Sequence, residues 1–310
     1  MRNIINKTMD RDDLDNVSAS KLIDELNQLI ITIKAKNLKI SSWYGCFDLP
    51  AIRNSAEWIN RGIGYTPLQS AADDCNFPWF LYWEIVWLLL NNDFQPGQSV
   101  LDLGGSSSLF SYFLAHKGLN VTTVDLQSNL VENANIVADK MSWSLKNIVM
   151  DMRELSLTGQ FNHVTSVCVF EHIPMYARVE INKKIKKIIK PEGYFSITFD
   201  YRNPSNAAKI DSPEEVDRQF IIPSGLSPRG NMPFYDNGKN YLLHPFYSNS
   251  DKVSDYKEWA IKEGHFNASE LGIVKNENDY TFGALFLQNA VRPPATGSAN
   301  DMEAERKVIL

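Results

Sequence analysis

The chain has 310 residues, of which 44% are hydrophobic and 22% are charged, and its formal net charge is -6. These values are typical of a globular protein with a sizeable core and exclude a disordered or fibrous chain. The acidic balance argues against nucleic acid as a partner, because phosphate binding depends on clustered lysine and arginine. The cysteines Cys46, Cys75 and Cys168 form no CxxC pair, which argues against a zinc cage or a disulfide framework.

No segment predicts export or a membrane span. The N-terminus lacks an apolar run of signal-peptide length. The most apolar stretch, WFLYWEIVWLLL at residues 79–90, is too short to cross a bilayer and contains Glu84. We therefore expect a buried helix there, a cytoplasmic location and no membrane partner.

Residues 1–95 are predicted to form a helical, aromatic-rich N-terminal cap or lid. Apolar residues recur at helical spacing over residues 17–37. Residues 41–78 mix aromatic side chains and prolines with polar residues and show no clean period, which suits a lid packed on a larger body. Pro78 is placed to open the next helix, which runs to about Asn92.

From residue 98 onward, strands alternate with helices, a pattern typical of a parallel sheet covered on both faces. The predicted strands are residues 99–103, 120–125, 147–151, 163–170 and 193–201, and the predicted helices are residues 108–117, 128–141 and 174–190. A helix near residues 253–263 and two strands, near LGIVKN and YTFGALFLQN, complete the pattern. The predicted fold class is therefore α/β, with a doubly wound, mostly parallel sheet of seven strands.

The sheet domain is predicted to span residues 96–290. Residues 202–250 interrupt the alternation with a stretch rich in Pro, Asn, Ser and Gly, and loops of that length usually carry function. We interpret this stretch as an insertion on the substrate side. The tail, residues 291–310, is polar with almost no apolar period, so we predict it to be disordered.

A turn of residues with small side chains follows the first strand of the predicted sheet, where SVLDL leads into Gly104, Gly105 and three serines. Ligands bind at the carboxyl ends of the strands in such sheets, where a glycine turn opens a helix. The second strand ends at Asp125, 21 residues past Gly104, and a carboxylate there accepts hydrogen bonds from ribose hydroxyls. Together these features predict an adenosine site, whereas the turn alone also fits a tight connection capped by a serine.

Two kinds of cofactor fit an adenosine site of this kind. Nicotinamide enzymes typically carry GxGxxG after the first strand and bind a pyrophosphate at the helix N-terminus. Here the third glycine is missing, and Asp102 lies just before the turn. Its negative charge disfavours a pyrophosphate and suits a cationic ligand.

With these motifs in this order, the chain resembles the class I S-adenosylmethionine-dependent methyltransferases, a Rossmann-like superfamily, from about residue 98 to residue 289. The resemblance implies S-adenosylmethionine as cofactor, S-adenosylhomocysteine as product and no metal. It departs from the family's usual GxGxG at Ser106 and Ser108, which we expect to widen the loop. The implied cofactor-binding residues are Asp102, Gly104, Gly105, Ser106, Ser108, Asp125, Leu126, Asp151, Met152 and Phe170, with Asp125 at the ribose and Asp151 near the adenine amine.

Two further stretches carry the resemblance. VCVFEHIP, residues 167–174, resembles the family's substrate-side turn, and IIKPEGYFSITF, residues 188–199, resembles the turn into the fifth strand, with Glu192 in place of a usual glycine. The candidate catalytic residues are His172, Glu171, Asp200, Tyr201 and His244. His172 suits a general base for a hydroxyl or an amine. Each candidate also has a structural interpretation, as a packed histidine or a solvated strand-end residue.

The predicted function is methyl transfer to a small molecule, with a hydroxyl of a sugar or secondary metabolite as the favoured acceptor. The alternatives are a small-molecule N-methyltransferase, an NAD-linked oxidoreductase and a non-catalytic adenosine-binding module. The lysines of NKKIKKIIK, residues 182–190, lie opposite isoleucines at helical spacing, so we interpret them as a solvated helix face. A homo-oligomer is compatible with the sequence, which does not decide the oligomeric state.

Overall fold

A sheet of nine strands organises the part of the chain that the computed structural model describes, namely residues 4–41, 79–157, 161–203, 209–242 and 279–290. Seven strands form a continuous path in the order β1-β9-β6-β5-β2-β3-β4, and β7 and β8 pair with β9. The strands are β1 Lys7–Thr8, β2 Ser99–Leu103, β3 Asn120–Asp125, β4 Leu145–Val149, β5 Phe161–Val167, β6 Ile189–Tyr201, β7 Ser227–Pro228, β8 Tyr241–Leu242 and β9 Asp279–Gln288.

The sheet is parallel from β4 through β3, β2 and β5 to β6, and β9 joins it antiparallel to β6. Alternate residues of β2 face opposite sides, as the period of a strand requires. Val100 packs in one hydrophobic core, and Leu101 and Leu103 pack in a second core. These observations confirm the predicted α/β class and the mostly parallel, doubly wound sheet.

Five longer helices cover the sheet, and they are α1 Val17–Ala35, α2 Trp79–Asn91, α3 Leu109–His116, α4 Ser128–Met141 and α5 Met175–Ile188. The segments Pro213–Val216, Asp217–Ile221 and Ile222–Ser224 follow one another as short helical turns, the middle one a π-helix. Helices α1 and α2 contribute buried side chains to the same core as α3, and helix α5 contributes to the other core. No helix among the described residues is long and apolar enough to cross a membrane.

The structure changes several predicted boundaries. The third predicted strand, residues 147–151, is observed as Leu145–Val149, because Asp151 caps a 3₁₀ turn with its side chain. The fourth ends at Val167, three residues earlier than predicted, because residues 170–172 form a 3₁₀ turn. The fifth begins at Ile189, four residues earlier than predicted. Strand β1, within the predicted helical cap, was not expected.

Several predicted features lie outside the described residues. They are most of the predicted lid, at residues 42–78, the helix near residues 253–263, the strand near LGIVKN, residue His244 and the tail at residues 291–310. The division into a cap and a sheet domain therefore stays a prediction.

Candidate active site

The predicted cofactor turn lies at the carboxyl end of β2 and leads into α3. Gly104 has a φ of +76°, and its N–H donates to the Val124 carbonyl at 2.8 Å. A Cβ on Gly104 would lie 2.7 Å from Val169 Cγ2, which follows β5. Glycine is required here by the left-handed backbone and by the close approach of the loop after β5.

Asp102 supports this turn from inside the protein. Its carboxyl group is buried and accepts hydrogen bonds from the Ser111 hydroxyl at 2.5 Å and the Thr165 hydroxyl at 2.9 Å. Burial raises the pKa of Asp102 to about 6, although both hydroxyls stabilise the charged form. A Cβ on Gly105 would overlap Asp102 Oδ2, so glycine is also required there. A direct contact of Asp102 with a ligand stays a prediction.

The three serines of the turn all hydrogen-bond to neighbouring elements. The bonds join Ser106 Oγ to Thr123 Oγ1 at 2.7 Å, Ser107 Oγ to the Leu130 carbonyl at 2.6 Å, and the Ser111 amide to Ser108 Oγ at 3.0 Å. These partners belong to β3, α4 and α3 respectively. The serines that replace the family's glycines therefore fasten the turn to its surroundings.

A segment from the N-terminal region also contacts the turn, which sequence analysis did not predict. The Ser41 amide donates to the Ser107 carbonyl at 2.8 Å. Asn133 Nδ2, on α4, donates to the Lys39 carbonyl at 3.1 Å and to Ser107 Oγ at 2.9 Å. Residues that precede the sheet domain thus help to hold the predicted cofactor turn.

Asp125 ends β3, the strand next to β2, as the sequence predicts. Its Oδ1 accepts from the Gln127 amide at 3.0 Å, and burial raises the pKa of Asp125 to about 6 despite that hydrogen bond. Gln127 Oε1 is buried and has no hydrogen-bond partner among the described residues. Leu126 is 66% exposed. Two acceptors at one strand tip, beside an exposed apolar side chain, fit the hydroxyls and the base of an adenosine.

Asp151 follows β4 and is paired with Arg153. Its Oδ1 accepts from the Arg153 amide and its Oδ2 accepts from Arg153 Nε, each at 2.8 Å. The Arg153 guanidinium lowers the pKa of Asp151. Met152 is buried, and its Cε would lie 3.2 Å from a Cβ on Gly104. Met152 therefore lines the turn, and a contact of Asp151 with adenine stays a prediction.

Two predicted site residues lie in the core. Phe170 is fully buried, and its ring packs edge-on against Phe195 and Phe220. Tyr201 is also fully buried, and its hydroxyl donates to Asp236 Oδ2 at 3.1 Å. The structure gives both side chains packing roles, and their predicted contacts with ligands stay predictions.

The predicted catalytic pair Glu171 and His172 lies in the 3₁₀ turn after β5. His172 Nε2 is 3.8 Å from Glu171 Oε1, and the His172 side chain is one-third exposed whereas that of Glu171 is buried. Ligand atoms of Cys168, Glu171 and His172 all lie within 4.8 Å of one another. This group adjoins the cofactor turn through Val169, whose side chain packs on Gly104.

Asp200, near the end of β6, belongs to the same group. It is buried, its Oδ2 accepts from Asn203 Nδ2 at 2.6 Å, and its Oδ1 lies 3.7 Å from the Cys168 thiol. Burial raises the pKa of Glu171, and Asp200 raises it further while His172 lowers it. The structure thus brings Glu171, His172 and Asp200 together. His244 lies outside the described residues.

Glu84 and Gln127 are two residues near these groups that the sequence analysis did not select as candidates. Glu84 is the more deeply buried of the two. It lies on α2 and is 0% exposed, and the polar groups beside it in the described part of the chain include the Thr198 hydroxyl and the Cys168 thiol. Burial raises the pKa of Glu84 well above its usual value, and Glu171 and Asp200 raise it further. The signal was present in the sequence, because Glu84 is the one charged residue in WFLYWEIVWLLL.

Comparison with known proteins matches residues 100–193 to the family model of a methyltransferase domain. Among curated relatives, a ubiquinone biosynthesis O-methyltransferase of Xanthomonas oryzae pv. oryzae is 29% identical over 199 residues, which are 64% of this chain and 77% of that protein. A ubiquinone biosynthesis O-methyltransferase of Pseudomonas aeruginosa is 27% identical over 145 residues, which are 44% of this chain and 57% of that protein.

Two solved structures show partial likeness. The cyclopropane synthase MmaA2 from Mycobacterium tuberculosis is 14% identical with a TM-score of 0.49, over 66% of this chain and 82% of that one. The phosphoethanolamine N-methyltransferase 2 of Haemonchus contortus, solved with S-adenosyl-L-methionine, is 15% identical with a TM-score of 0.49, over 78% of this chain and 57% of that one.

Proposed function

Because this chain belongs to the class I S-adenosylmethionine-dependent methyltransferases, we propose that it methylates a hydroxyl group of a small molecule, such as a sugar or a secondary metabolite. The observation that carries the proposal is the position of Glu171 and His172, with Oε1 and Nε2 3.8 Å apart, in the loop that packs on the cofactor turn. A neutral hydroxyl must lose its proton when it is methylated, and this pair supplies a partly exposed proton acceptor beside the turn. The O-methyltransferase names of the curated relatives also support it.

The residues of the turn and of the β3 tip fit the cofactor. Bound S-adenosylmethionine supplies a methyl group activated by a positively charged sulfur. Gly104 and Gly105 leave the backbone bare at the carboxyl end of β2. Asp125 and Gln127 present a carboxylate and an unpartnered amide oxygen, which we assign to the ribose hydroxyls. These residues would hold the cofactor beside the loop after β5, which contacts Gly104 through Val169.

Two side chains have proposed roles at the acceptor. His172 receives the hydroxyl proton, because its imidazole is the part of the group that reaches the surface. Glu171 is buried behind it, with Oε1 3.8 Å from His172 Nε2, and positions the imidazole. Alignment of the acceptor oxygen with the methyl group then supplies most of the remaining rate enhancement.

The experiment that tests this function uses the full chain with S-adenosylmethionine labelled at the methyl group. A panel of small molecules is offered in matched pairs that differ only by a hydroxyl or an amine at one position. We expect label on oxygen for at least one hydroxyl-bearing member, detected by mass spectrometry of the product. Label found on nitrogen alone would contradict the proposal and would favour the N-methyltransferase alternative.

A further inference from the structure

The most unusual side chain in the described residues is Glu84. It lies in the middle of α2, a helix of otherwise apolar and aromatic residues apart from Asn91, and it is 0% exposed. A buried carboxyl group without a hydrogen-bond partner is costly, because the lost interaction with water is not replaced. The polar groups beside Glu84 among the described residues are the Thr198 hydroxyl and the Cys168 thiol, and neither is a cation. A cationic ligand that contacts this carboxyl group would offset the cost of its burial.

Glu84 faces a polar row on strand β6. Ser196, Thr198 and Asp200 alternate along one face of this strand, opposite the apolar residues that enter the other core. At one end of the row, the Ser196 hydroxyl donates to Asn92 Oδ1, just after α2, at 2.9 Å. In the middle of the row, Thr198 Oγ1 is 0% exposed, and the polar group beside it is the Glu84 carboxyl group. Toward Asp200, the row lies beside the buried carboxyl group of Glu84, which Thr198 contacts. We call this end of the row the acidic end.

The acidic end brings three buried carboxyl groups together. The carboxyl groups are those of Glu84, Glu171 and Asp200. Glu171 and Asp200 raise the pKa of Glu84, and Asp200 also raises the pKa of Glu171. All three raise the pKa of the Cys168 thiol. Glu171 is 3% exposed, and the Cys168 thiol and the His172 ring nitrogen lie within 4.8 Å of its carboxyl group.

Three other groups face the three carboxyls. Arg178, which is fully buried, donates to the Glu171 carbonyl at 3.0 Å, and His172 lies at the surface side. The Cys168 thiol is the third group, and burial raises its pKa well above the usual value. One buried guanidinium beside three carboxyls leaves a site that attracts a further cation.

The walls of this end are apolar and aromatic. Phe80 precedes Glu84 by one helical turn and stacks on Phe282 with ring centroids 5.7 Å apart. Phe282 is the register partner of Asp200 on the neighbouring strand. Carboxylates framed by aromatic rings suit an alkylammonium group, which makes hydrogen bonds and cation–π contacts. They suit a magnesium ion less, because that ion keeps several of its waters.

From this arrangement we propose that Glu84, Glu171 and Asp200, here called the buried acid group, bind an ammonium group carried by the methyl acceptor. The buried acid group lies one strand from the cofactor turn, because β5 lies between β6 and β2 and the loop after β5 contacts Gly104. An acceptor anchored there presents its reacting oxygen toward the turn. The proposal rests on the proposed function, since it specifies the chemistry of that acceptor.

The test is a titration of the full chain, saturated with S-adenosylhomocysteine, by primary alkylammonium chlorides of increasing chain length. The alcohols of the same lengths and sodium chloride serve as controls. We expect at least one ammonium probe to bind at one site, about tenfold more tightly than its alcohol. Burial raises the pKa of Glu84 and of Glu171, and a bound cation favours their ionised forms, so binding should release protons. Calorimetry in two buffers with different ionisation enthalpies measures this release.

Variants locate the site. Glu84→Gln keeps the shape of the side chain, and Asp200→Asn removes a carboxyl group from the same group, so each should abolish the preference for ammonium over alcohol. Glu180→Gln changes the charge equally on the exposed face of α5 and should keep the preference. Binding of S-adenosylhomocysteine to each variant shows that it has folded.

Three results would overturn the proposal. The first is that ammonium probes and alcohols bind equally well. The second is that the preference for ammonium persists in both Glu84→Gln and Asp200→Asn. The third is that zinc or magnesium displaces the ammonium probe from wild type but not from Glu84→Gln, which would assign the buried acid group to a metal. A failure of the wild-type chain to bind S-adenosylhomocysteine would instead contradict the proposed function.

Discussion

Gly105 and Asp102 fit against each other so closely that a Cβ on Gly105 would overlap Asp102 Oδ2. Asp102 is held in that position by the hydroxyls of Ser111, on α3, and Thr165, on β5. The absence of a side chain at Gly105 is therefore a packing requirement. The shape of the cofactor turn depends on this contact.

Substitution Gly105→Ala should displace Asp102 or the turn and so destabilise the protein by about 2 kcal/mol or more, in the range of other overpacking changes. Affinity for S-adenosylhomocysteine should fall with it. Gly238→Ala is the matched control, because Gly238 has a φ of +74° and a Cβ on it would have nothing within 4 Å. Strain alone should cost that variant about 1 kcal/mol. If urea unfolding shows that Gly105→Ala and Gly238→Ala lose the same amount of stability, the contact with Asp102 is unimportant.

Asp125→Asn should stabilise the free protein while it weakens cofactor binding. Burial raises the pKa of Asp125 from 3.8 to about 6, so the folded protein holds this proton more tightly than the unfolded chain does. Stability is therefore lost as pH rises from about 4 to about 6, and the ionised form costs roughly 1–3 kcal/mol at neutral pH. Asparagine carries no charge and keeps an oxygen for the Gln127 amide.

Urea unfolding at several pH values measures this effect. Asp125→Asn should be more stable than wild type at pH 7, and the difference should shrink as pH approaches 4. Calorimetry should show an affinity for S-adenosylhomocysteine lower by about tenfold or more, since a carboxylate makes stronger hydrogen bonds to hydroxyls than an amide does. A variant that binds the ligand as well as wild type would remove Asp125 from the ribose site.

Tyr201→Phe should affect stability and leave methyl transfer intact. The Tyr201 hydroxyl donates to Asp236, which also accepts from Arg202 Nη2 at 3.0 Å, so its loss should cost about 1 kcal/mol. Thermal unfolding and the rate of label transfer together check this expectation. A large loss of turnover in a stable Tyr201→Phe protein would restore the catalytic role that the sequence suggests.

His172→Gln should lower turnover by about a hundredfold or more, because the acceptor hydroxyl would lose its proton acceptor. Affinity for S-adenosylhomocysteine should stay the same, since the proposed cofactor contacts belong to the turn and to β3. His116→Gln, on α3, is a control for the loss of a partly buried imidazole elsewhere. Equal turnover in wild type and His172→Gln would leave His172 with a structural role only.

The fold could be predicted from the sequence because the strands of a parallel sheet read as short apolar runs between amphipathic helices. The strands Ser99–Leu103 and Asn120–Asp125 begin and end where the pattern predicts. The third strand ends two residues earlier than predicted, because its pairing with β3 ends at Val149. The local sequence does not encode where this pairing ends. Strand β1 was missed because two residues carry no period, and it forms only through pairing with β9.

The candidate site was predicted where its residues are local to a strand end and missed where they come from elsewhere. Gly104, Asp125 and Glu171 each follow or end a strand, so topology alone brings them to one edge of the sheet. Glu84 reaches the same edge from a helix that precedes the sheet domain, and only tertiary packing places it there. Phe170 has the spacing of a site residue, but an apolar ring at a strand end is equally suited to the core.

Equilibrium binding of S-adenosylhomocysteine and of NAD to the same preparation of the full chain tests the central claim most directly. The claim is that the turn after β2 and the carboxylate of Asp125 hold an adenosine cofactor with a charged sulfur. We expect S-adenosylhomocysteine to bind at one site, with an affinity that Asp125→Ala lowers by about tenfold or more, and we expect no binding of NAD. Binding of NAD to that site, with no binding of S-adenosylhomocysteine, would contradict the account.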